Sequence, residues 1–187
     1  VGSPPVDRAA VVTALAETQD MEEVRGRFGL SREDLAQILR DAAAVFDLEE
    51  SGTWCLYVDG ASRGNPGPAG AGAVLFGPRG EKRAQESRYL GEATNNAAEY
   101  QALLLGLELA QNHGVKRLQV YADSELVVRQ LLGTYQVKKS HLLPLWRRAR
   151  EALQKFDTYA ISHLDRSFNQ EADRLARQAI DQHRRKR

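Results

Sequence analysis

The chain has 187 residues, 42% hydrophobic and 27% charged, with 26 Lys and Arg against 25 Asp and Glu. That size fits one ordinary domain or a modest domain with a small appendage, and the composition excludes wholesale disorder. No apolar run approaches the ~20 residues that cross a bilayer, Val1–Asp7 lacks the blocks of a secretory signal, and the single cysteine, Cys55, excludes a disulfide framework or a cysteine-based zinc site. No membrane association is expected, and the expected location is the cytoplasm. The near-neutral total hides an asymmetry: residues 1–50 carry 5 basic and 11 acidic side chains, residues 51–187 carry 21 and 14. Two segments with different tasks are expected, the second facing a polyanion.

In chain order, residues 6–46 read as helices. Val11, Leu15 and Thr18 stand at helical spacing, and a short helix from Asp20 to Phe28 stops at Gly29. Ser31 offers an N-cap with Asp34 in capping-box position, and Leu35, Ile38, Leu39, Ala42 and Phe46 follow as one apolar stripe. Helix, glycine turn, helix is the outline of a helix-turn-helix, and equally of a small three-helix bundle that packs or dimerises. The acidic balance favours the bundle, because phosphate contacts reward positive charge. Arg32, Gln37 and Arg40 keep DNA binding open, so the segment is expected to contact either nucleic acid or protein.

Asp47–Gly52 reads as a polar joint, and the pattern then changes. Strands are expected at Trp54–Ser62, Gly70–Phe76, Glu81–Leu90, Leu118–Ala122 and Thr158–Leu164. Helices are expected at Thr94–Asn112, Ser124–Leu132, Leu142–Phe156 and Asn169–His183. Three antiparallel strands followed by helix–strand–helix–helix–strand–helix make an α/β fold with a mixed five-stranded sheet flanked by helices. The expected domains are a small helical one over 1–50, the sheet domain over 51–183 and a basic tail over 184–187.

Four acids sit where an acid is expensive. Asp59 lies in the first strand just ahead of Gly60, Glu99 on the apolar central helix, Asp123 at the end of the fourth strand, and Asp173 beside the apolar stripe of the last helix. Taken singly, Asp59 could serve a turn, Asp123 could cap the next helix, and Asp173 could pair with Arg177 at i+4. Glu99 has no Lys or Arg three or four positions away. Together, and without a Cys or His cluster, the four make a hard-oxygen site suited to Mg²⁺ or Mn²⁺. Two such ions would suit a phosphodiester substrate.

The segments Asp59-Gly-Ala-Ser-Arg-Gly-Asn-Pro-Gly-Pro-Ala-Gly-Ala-Gly72, Thr94-Asn-Asn-Ala-Ala-Glu99, Asp123-Ser-Glu and Asn169-Gln-Glu-Ala-Asp173 resemble type 1 ribonuclease H (ribonuclease HI), in family order across about residues 53–182. Asp123–Gln130 with Tyr135–Lys139 is similar to the archaeal-like branch. The resemblance implies a ribonuclease H fold and endonucleolytic cleavage of the RNA strand of RNA/DNA hybrids, leaving 5′-phosphate and 3′-hydroxyl ends. It implies two Mg²⁺ ions, with Mn²⁺ as a substitute, on Asp59, Glu99, Asp123 and Asp173. Asp59 would bridge the ions and Asp173 would be the more mobile ligand. Asn65, Thr94, Asn95, Asn96 and Ser124 would contact substrate as neutral groups suited to a wide minor groove and its 2′-hydroxyls. A monomer is expected.

The chain departs from the family in three places. No histidine lies in the loop before Asp173, since His163 falls in the fifth strand; Arg166 is the candidate helper near the leaving phosphate. Between the helices after Asp123 only Gly133–Ser140 remains where relatives insert a basic handle, leaving Lys138 and Lys139. Glu92-Ala93 precedes Thr94 where some relatives place an arginine that grips a DNA phosphate, which leaves double-stranded RNA open as a further substrate.

Overall fold

The structure is a computed structural model and describes residues 8–185, without the side chains of residues 8, 9, 41, 43–51 and 185. The expectations placed on Val1–Asp7, on the Phe46 side chain and on the last two residues of the tail lie outside the described residues. The chain divides into two compact units, residues 1–50 and 51–187.

The first unit holds α1 (Arg8–Thr18), α2 (Met21–Phe28) and α3 (Arg32–Ser51). Its turns form as their residues dictate. Asp20 caps α2 by accepting the Glu22 and Glu23 amides at 2.9 and 3.1 Å, and Gly29 ends it at φ +65°. Ser31 and Asp34 form the reciprocal capping box of α3, with both backbone-to-side-chain bonds at 3.0 Å. Val11, Ala14, Val24, Leu30, Leu35 and Ile38 make the core. Leu39 is not part of it, being 38% exposed, so the apolar stripe is narrower than the sequence suggested. The residues offered for DNA contact are engaged locally: Arg32 joins Arg25 on Glu22, and Arg40 donates to Gln37. α3 also runs through the expected joint at Asp47–Ser51, because its residues are good helix formers, and only Gly52 at φ +66° breaks it.

The second unit holds β1 (Trp54–Ser62), β2 (Gly67–Phe76), β3 (Lys82–Ala93), α4 (Asn95–Asn112), β4 (Arg117–Ala122), α5 (Glu125–Leu131), α6 (Leu143–Leu153), β5 (Thr158–His163) and α7 (Gln170–Arg185). The five strands form one mixed sheet in the order β3-β2-β1-β4-β5, antiparallel through β1 and parallel beyond it. β2 begins three residues earlier than expected: Gly67, Pro68 and Ala69 pair with Ala93, Glu92 and Gly91, although glycine and proline weaken the strand signal there. α7 likewise continues through Arg184 and Arg185, where a tail was expected.

The core lies between the sheet and α4, where Leu56, Val58, Leu103, Leu107, Leu118 and Val120 are buried. On the opposite face, α7 packs Ala172 and Leu175 against Val74. Both helices approach the sheet through glycines. A Cβ on Gly60 would meet the Ala98 carbonyl carbon and the Glu99 nitrogen at 2.2 Å, and one on Gly70 or Gly72 would meet the Ala176 or Ala172 carbonyl oxygen at 2.2 Å. Glu99 and Asp173 are thereby pressed towards the strand ends from opposite faces. Among the described residues no helix is long and apolar enough to cross a membrane.

Candidate active site

The parallel pairing of β1 with β4 aligns Val58 with Ala122, so the next residues, Asp59 and Asp123, stand side by side at the strand ends. The second turn of α4 adds Glu99. Thr94 caps that helix by accepting the Ala97 amide at 3.3 Å, and Gly60 donates its own amide to Glu99 Oε2 at 3.3 Å across the close contact described above. One oxygen from each of Asp59, Glu99 and Asp123 lies within 4.8 Å of the others. Asp123 does not cap α5: Ser124 occupies the N-cap position, and the Asp123 carboxylate turns to the cluster instead.

Asp173 is placed differently. Arg166 binds its Oδ1, and Arg177 binds Oδ2 at 2.8 Å, so both oxygens face guanidinium groups. It stands outside the group of three, yet close enough that its charge raises the Asp59 pKa. The i+4 pairing with Arg177 is made, and the carboxylate lies beside the group of three without joining it. His163 ends β5 as an exposed strand residue, and its Nε2 lies 3.2 Å from the Asp123 carbonyl oxygen.

The electrostatics are those of a site lacking positive charge. Asp59 is 3% exposed, and its Oδ2 is buried without a hydrogen-bond partner. Burial, followed by the charges of Asp123 and Asp173, pushes its carboxyl up to about 7. Glu99 is also raised well above its ordinary value, first by burial and then by Asp59 and Asp123, with the Gly60 amide and the Arg166 charge opposing. Three converging hard-oxygen ligands, one of them orphaned, fit a divalent cation of the Mg²⁺ or Mn²⁺ type.

A pH dependence follows. Because a cation needs these carboxylates deprotonated, Mg²⁺ affinity is expected to climb about tenfold or more per unit from pH 5.5 towards about 7 and less steeply above it. Calorimetric titration in buffers of different ionisation enthalpy reads this directly, as proton release on binding at pH 6 and less at pH 8.5. Equal affinity and no proton release across that range would contradict it.

The other expected residues line the same end of the sheet. Asn65 Oδ1 accepts the Asn95 amide at 3.1 Å, holding the β1–β2 loop to the start of α4. Asn95 is exposed, and Asn96 and Ser124 are half-buried. Two residues that sequence reasoning did not single out belong with them. Asn169, 1% exposed, donates from Nδ2 to the Val58 carbonyl at 2.9 Å and to Asp123 Oδ1 at 3.2 Å, tying the start of α7 to both strand ends. Its only signal was its place in a quoted motif. Arg177, weighed solely as a partner that would make Asp173 ordinary, instead completes the clamp on it.

The Reverse transcriptase-like family matches residues 57–179, which span the whole cluster. Ribonuclease HI of Halobacterium salinarum is 43% identical over 141 residues, covering 75% of this chain and 71% of that one. The chain belongs to the ribonuclease HI family. The solved RNase H1 of the same archaeon superposes with a TM-score of 0.69 at 44% identity, covering 70% of this chain and 99% of that one. LC11-RNase H1, solved in complex with an RNA/DNA hybrid, gives a TM-score of 0.65 at 39% identity, covering 69% and 97%. The bifunctional protein Rv2228c of Mycobacterium tuberculosis is 42% identical over 127 residues, but the match spans only 35% of its length. As a ribonuclease HI enzyme, the chain carries its family likeness in the second unit, since the family match begins beyond the three N-terminal helices.

Proposed function

We propose that the protein hydrolyses the RNA strand of RNA/DNA hybrids by two-metal-ion catalysis. The observation that carries this is the Asp59–Glu99–Asp123 cluster, with its orphaned buried oxygen, at the end of a ribonuclease HI sheet. Asp59, Glu99, Asp123 and Asp173 would hold two Mg²⁺ ions, which Mn²⁺ could replace. When bound, such ions activate a water and offset the charge on the departing oxygen. Hydrolysis breaks the bond from phosphorus to the 3′ oxygen, which leaves as a hydroxyl, and the new oxygen remains on the 5′-phosphate.

The chain's own groups orient the substrate. Asn65, Thr94, Asn95, Asn96 and Ser124 lie around the cluster as neutral donors and acceptors, able to recognise a 2′-hydroxyl and a sugar-phosphate edge without reading a base. Arg166, 63% exposed at its side chain, can turn from Asp173 towards a phosphate while Arg177 keeps its hold on that carboxylate. The helical unit is read as a protein-contact module, because its cations are already tied to Glu22 and Gln37 and the first turn of α3 carries Glu33 and Asp34. The enzyme is read as acting as a monomer.

The test is incubation with end-labelled RNA/DNA hybrid, RNA/RNA duplex and DNA/DNA duplex, each with Mg²⁺, Mn²⁺ or EDTA, beside Asp123→Asn. Metal-dependent cutting of the hybrid's RNA strand, lost in the variant, is expected, with 5′-phosphate ends on the products. The RNA/RNA lane measures how far Glu92-Ala93 loosens selectivity for DNA on the second strand. Intact hybrid in every lane would overturn the proposal.

A further inference from the structure

Outside the carboxylate cluster, the most unusual surface of the second unit is the stretch from Lys138 to Lys155. It holds 6 Lys and Arg and a single acid, Glu151. Many cations elsewhere are neutralised: Arg63, Lys82, Arg88, Arg129, Arg166 and Arg177 each sit against a carboxylate. Among the described residues, none of Lys138, Lys139, Arg147, Arg148, Arg150 and Lys155 has a carboxylate within ion-pair distance, and all six are exposed. Arg147 stands on the side of α6 opposite the buried Ala149, while Arg148 and Lys155 border a groove between α6, α4 and β3 that Arg88, Glu108 and Glu151 also line.

This surface is held rigidly. Ala149 and Leu153 are buried beneath it, and Arg150 lies over the Trp146 ring with its guanidinium 5.1 Å from the centroid. The Trp146 indole N–H donates to the Gln130 carbonyl at 3.1 Å, and the Gln130 side chain accepts from the Tyr100 hydroxyl at 2.8 Å. Near its other end, α6 receives a bond from Gln111 to the Ala152 carbonyl at 3.1 Å. α6 therefore runs beside α4 in the same direction. Its first turns stand near Tyr100, the neighbour of Glu99, and its last turn near Gln111, roughly 18 Å along the helix. That distance is about five base pairs of a duplex.

We propose that the exposed cations of α6, with Lys138 and Lys139 ahead of it, are a second contact surface for the sugar-phosphate backbone of a hybrid extending beyond the cleavage site. The inference rests on the hybrid reading above and names where the flank of that substrate binds. A run of exposed cations without carboxylate partners matches a regular row of phosphates and would repel a basic partner. It carries no groups set for base recognition, so it adds affinity and length dependence rather than sequence preference.

The full chain is compared with Arg147→Glu/Arg148→Glu and with a charge-matched control, Arg79→Glu/Arg83→Glu at the β2–β3 turn, which lies away from that groove. Binding of short (about 8 base pairs) and long (about 20 base pairs) hybrids is measured in EDTA at several salt concentrations, and cleavage in Mg²⁺. On the long hybrid, the α6 variant is expected to lower the slope of log affinity against log salt by about 2 and to raise KM about tenfold, with kcat unchanged. The short hybrid should show no such change, and the control should keep the wild-type slope. Identical slopes for wild type and the α6 variant on the long hybrid, or an equal loss in the control, would overturn the proposal whether or not the protein cuts. A lowered slope in a protein that never cuts would leave the surface standing and remove the nuclease reading instead. Arg147→Gln/Arg148→Gln, with half the charge change, should fall between the two.

Discussion

The Asp59→Asn variant is expected to lose hybrid cleavage by about a thousandfold or more, and to melt at a higher temperature than wild type when metal is absent. Both effects have one cause. Asp59 is buried beside Glu99 and Asp123 with an unpartnered oxygen, and its carboxyl is raised to about 7. An acid whose folded pKa is raised binds its proton more tightly in the folded state. The metal-free fold therefore loses stability as pH rises from the ordinary carboxylate range to about 7, and the full penalty applies above that. The penalty is on the order of 2–4 kcal/mol, shared with the neighbouring acids. Asparagine removes the charge and supplies an N–H pair to the two remaining carboxylates. At pH 8 in EDTA, the melting temperature should rise by roughly 5–10 °C, and at pH 5 the difference should shrink. Mg²⁺ should raise the melting temperature of wild type and barely move that of the variant. A variant that melts below wild type in EDTA at pH 8 would show that Asp59 is not an uncompensated buried acid.

Gly60→Ala is expected to act in the opposite sense. The added methyl would stand 2.2 Å from backbone atoms of Ala98 and Glu99, and helix backbone cannot swing aside as a side chain can. Either α4 shifts away from β1 or the pairing of β1 is distorted. A loss of about 3 kcal/mol or more is expected, read as a lower urea midpoint at unchanged slope. The same shift breaks the Gly60 amide bond to Glu99 and moves that carboxylate out of the cluster, so Mg²⁺ affinity and cleavage should fall together. The two substitutions touch neighbouring residues and separate the two demands placed on this strand end. One removes charge and stabilises; the other removes close contact and destabilises. A Gly60→Ala protein with wild-type stability and Mg²⁺ binding would mean that α4 docks more loosely than its distance to β1 indicates.

These contrasts show why some of the site was legible from residue order. Asp59 and Glu99 were visible because an acid on an apolar strand or helix face needs a reason, and no nearby cation supplied one for Glu99. Asp123 was less clear, since an acid just before a helix usually caps it. Only the β1–β4 register shows that the carboxylate is used elsewhere. The double arginine grip on Asp173 joins a loop residue to two residues one helical turn apart, and only the i+4 half follows from local spacing. Asn169 was least visible. Its importance comes from burial and from bonds to residues 46 and 111 positions away. In the fold, the long helices and β1 followed from periodicity. The start of β2 did not, because Gly67-Pro68 pairs through backbone while carrying the residues of a turn.

Asn169 also bears on the life of the chain before it is complete. Asp59, Glu99 and Asp123 are made early, but the side chain that ties β1 and β4 together at their ends comes at residue 169, and the fourth acid at 173. Asp173 belongs to α7, which packs Ala172 and Leu175 on Val74 of β2. A growing polypeptide therefore carries the first three acids without the brace that orients them until residue 169 has been added. On the proposed function, it would emerge from the ribosome beside messenger RNA in an inert form, and the ability to cut would arrive only with the final helix.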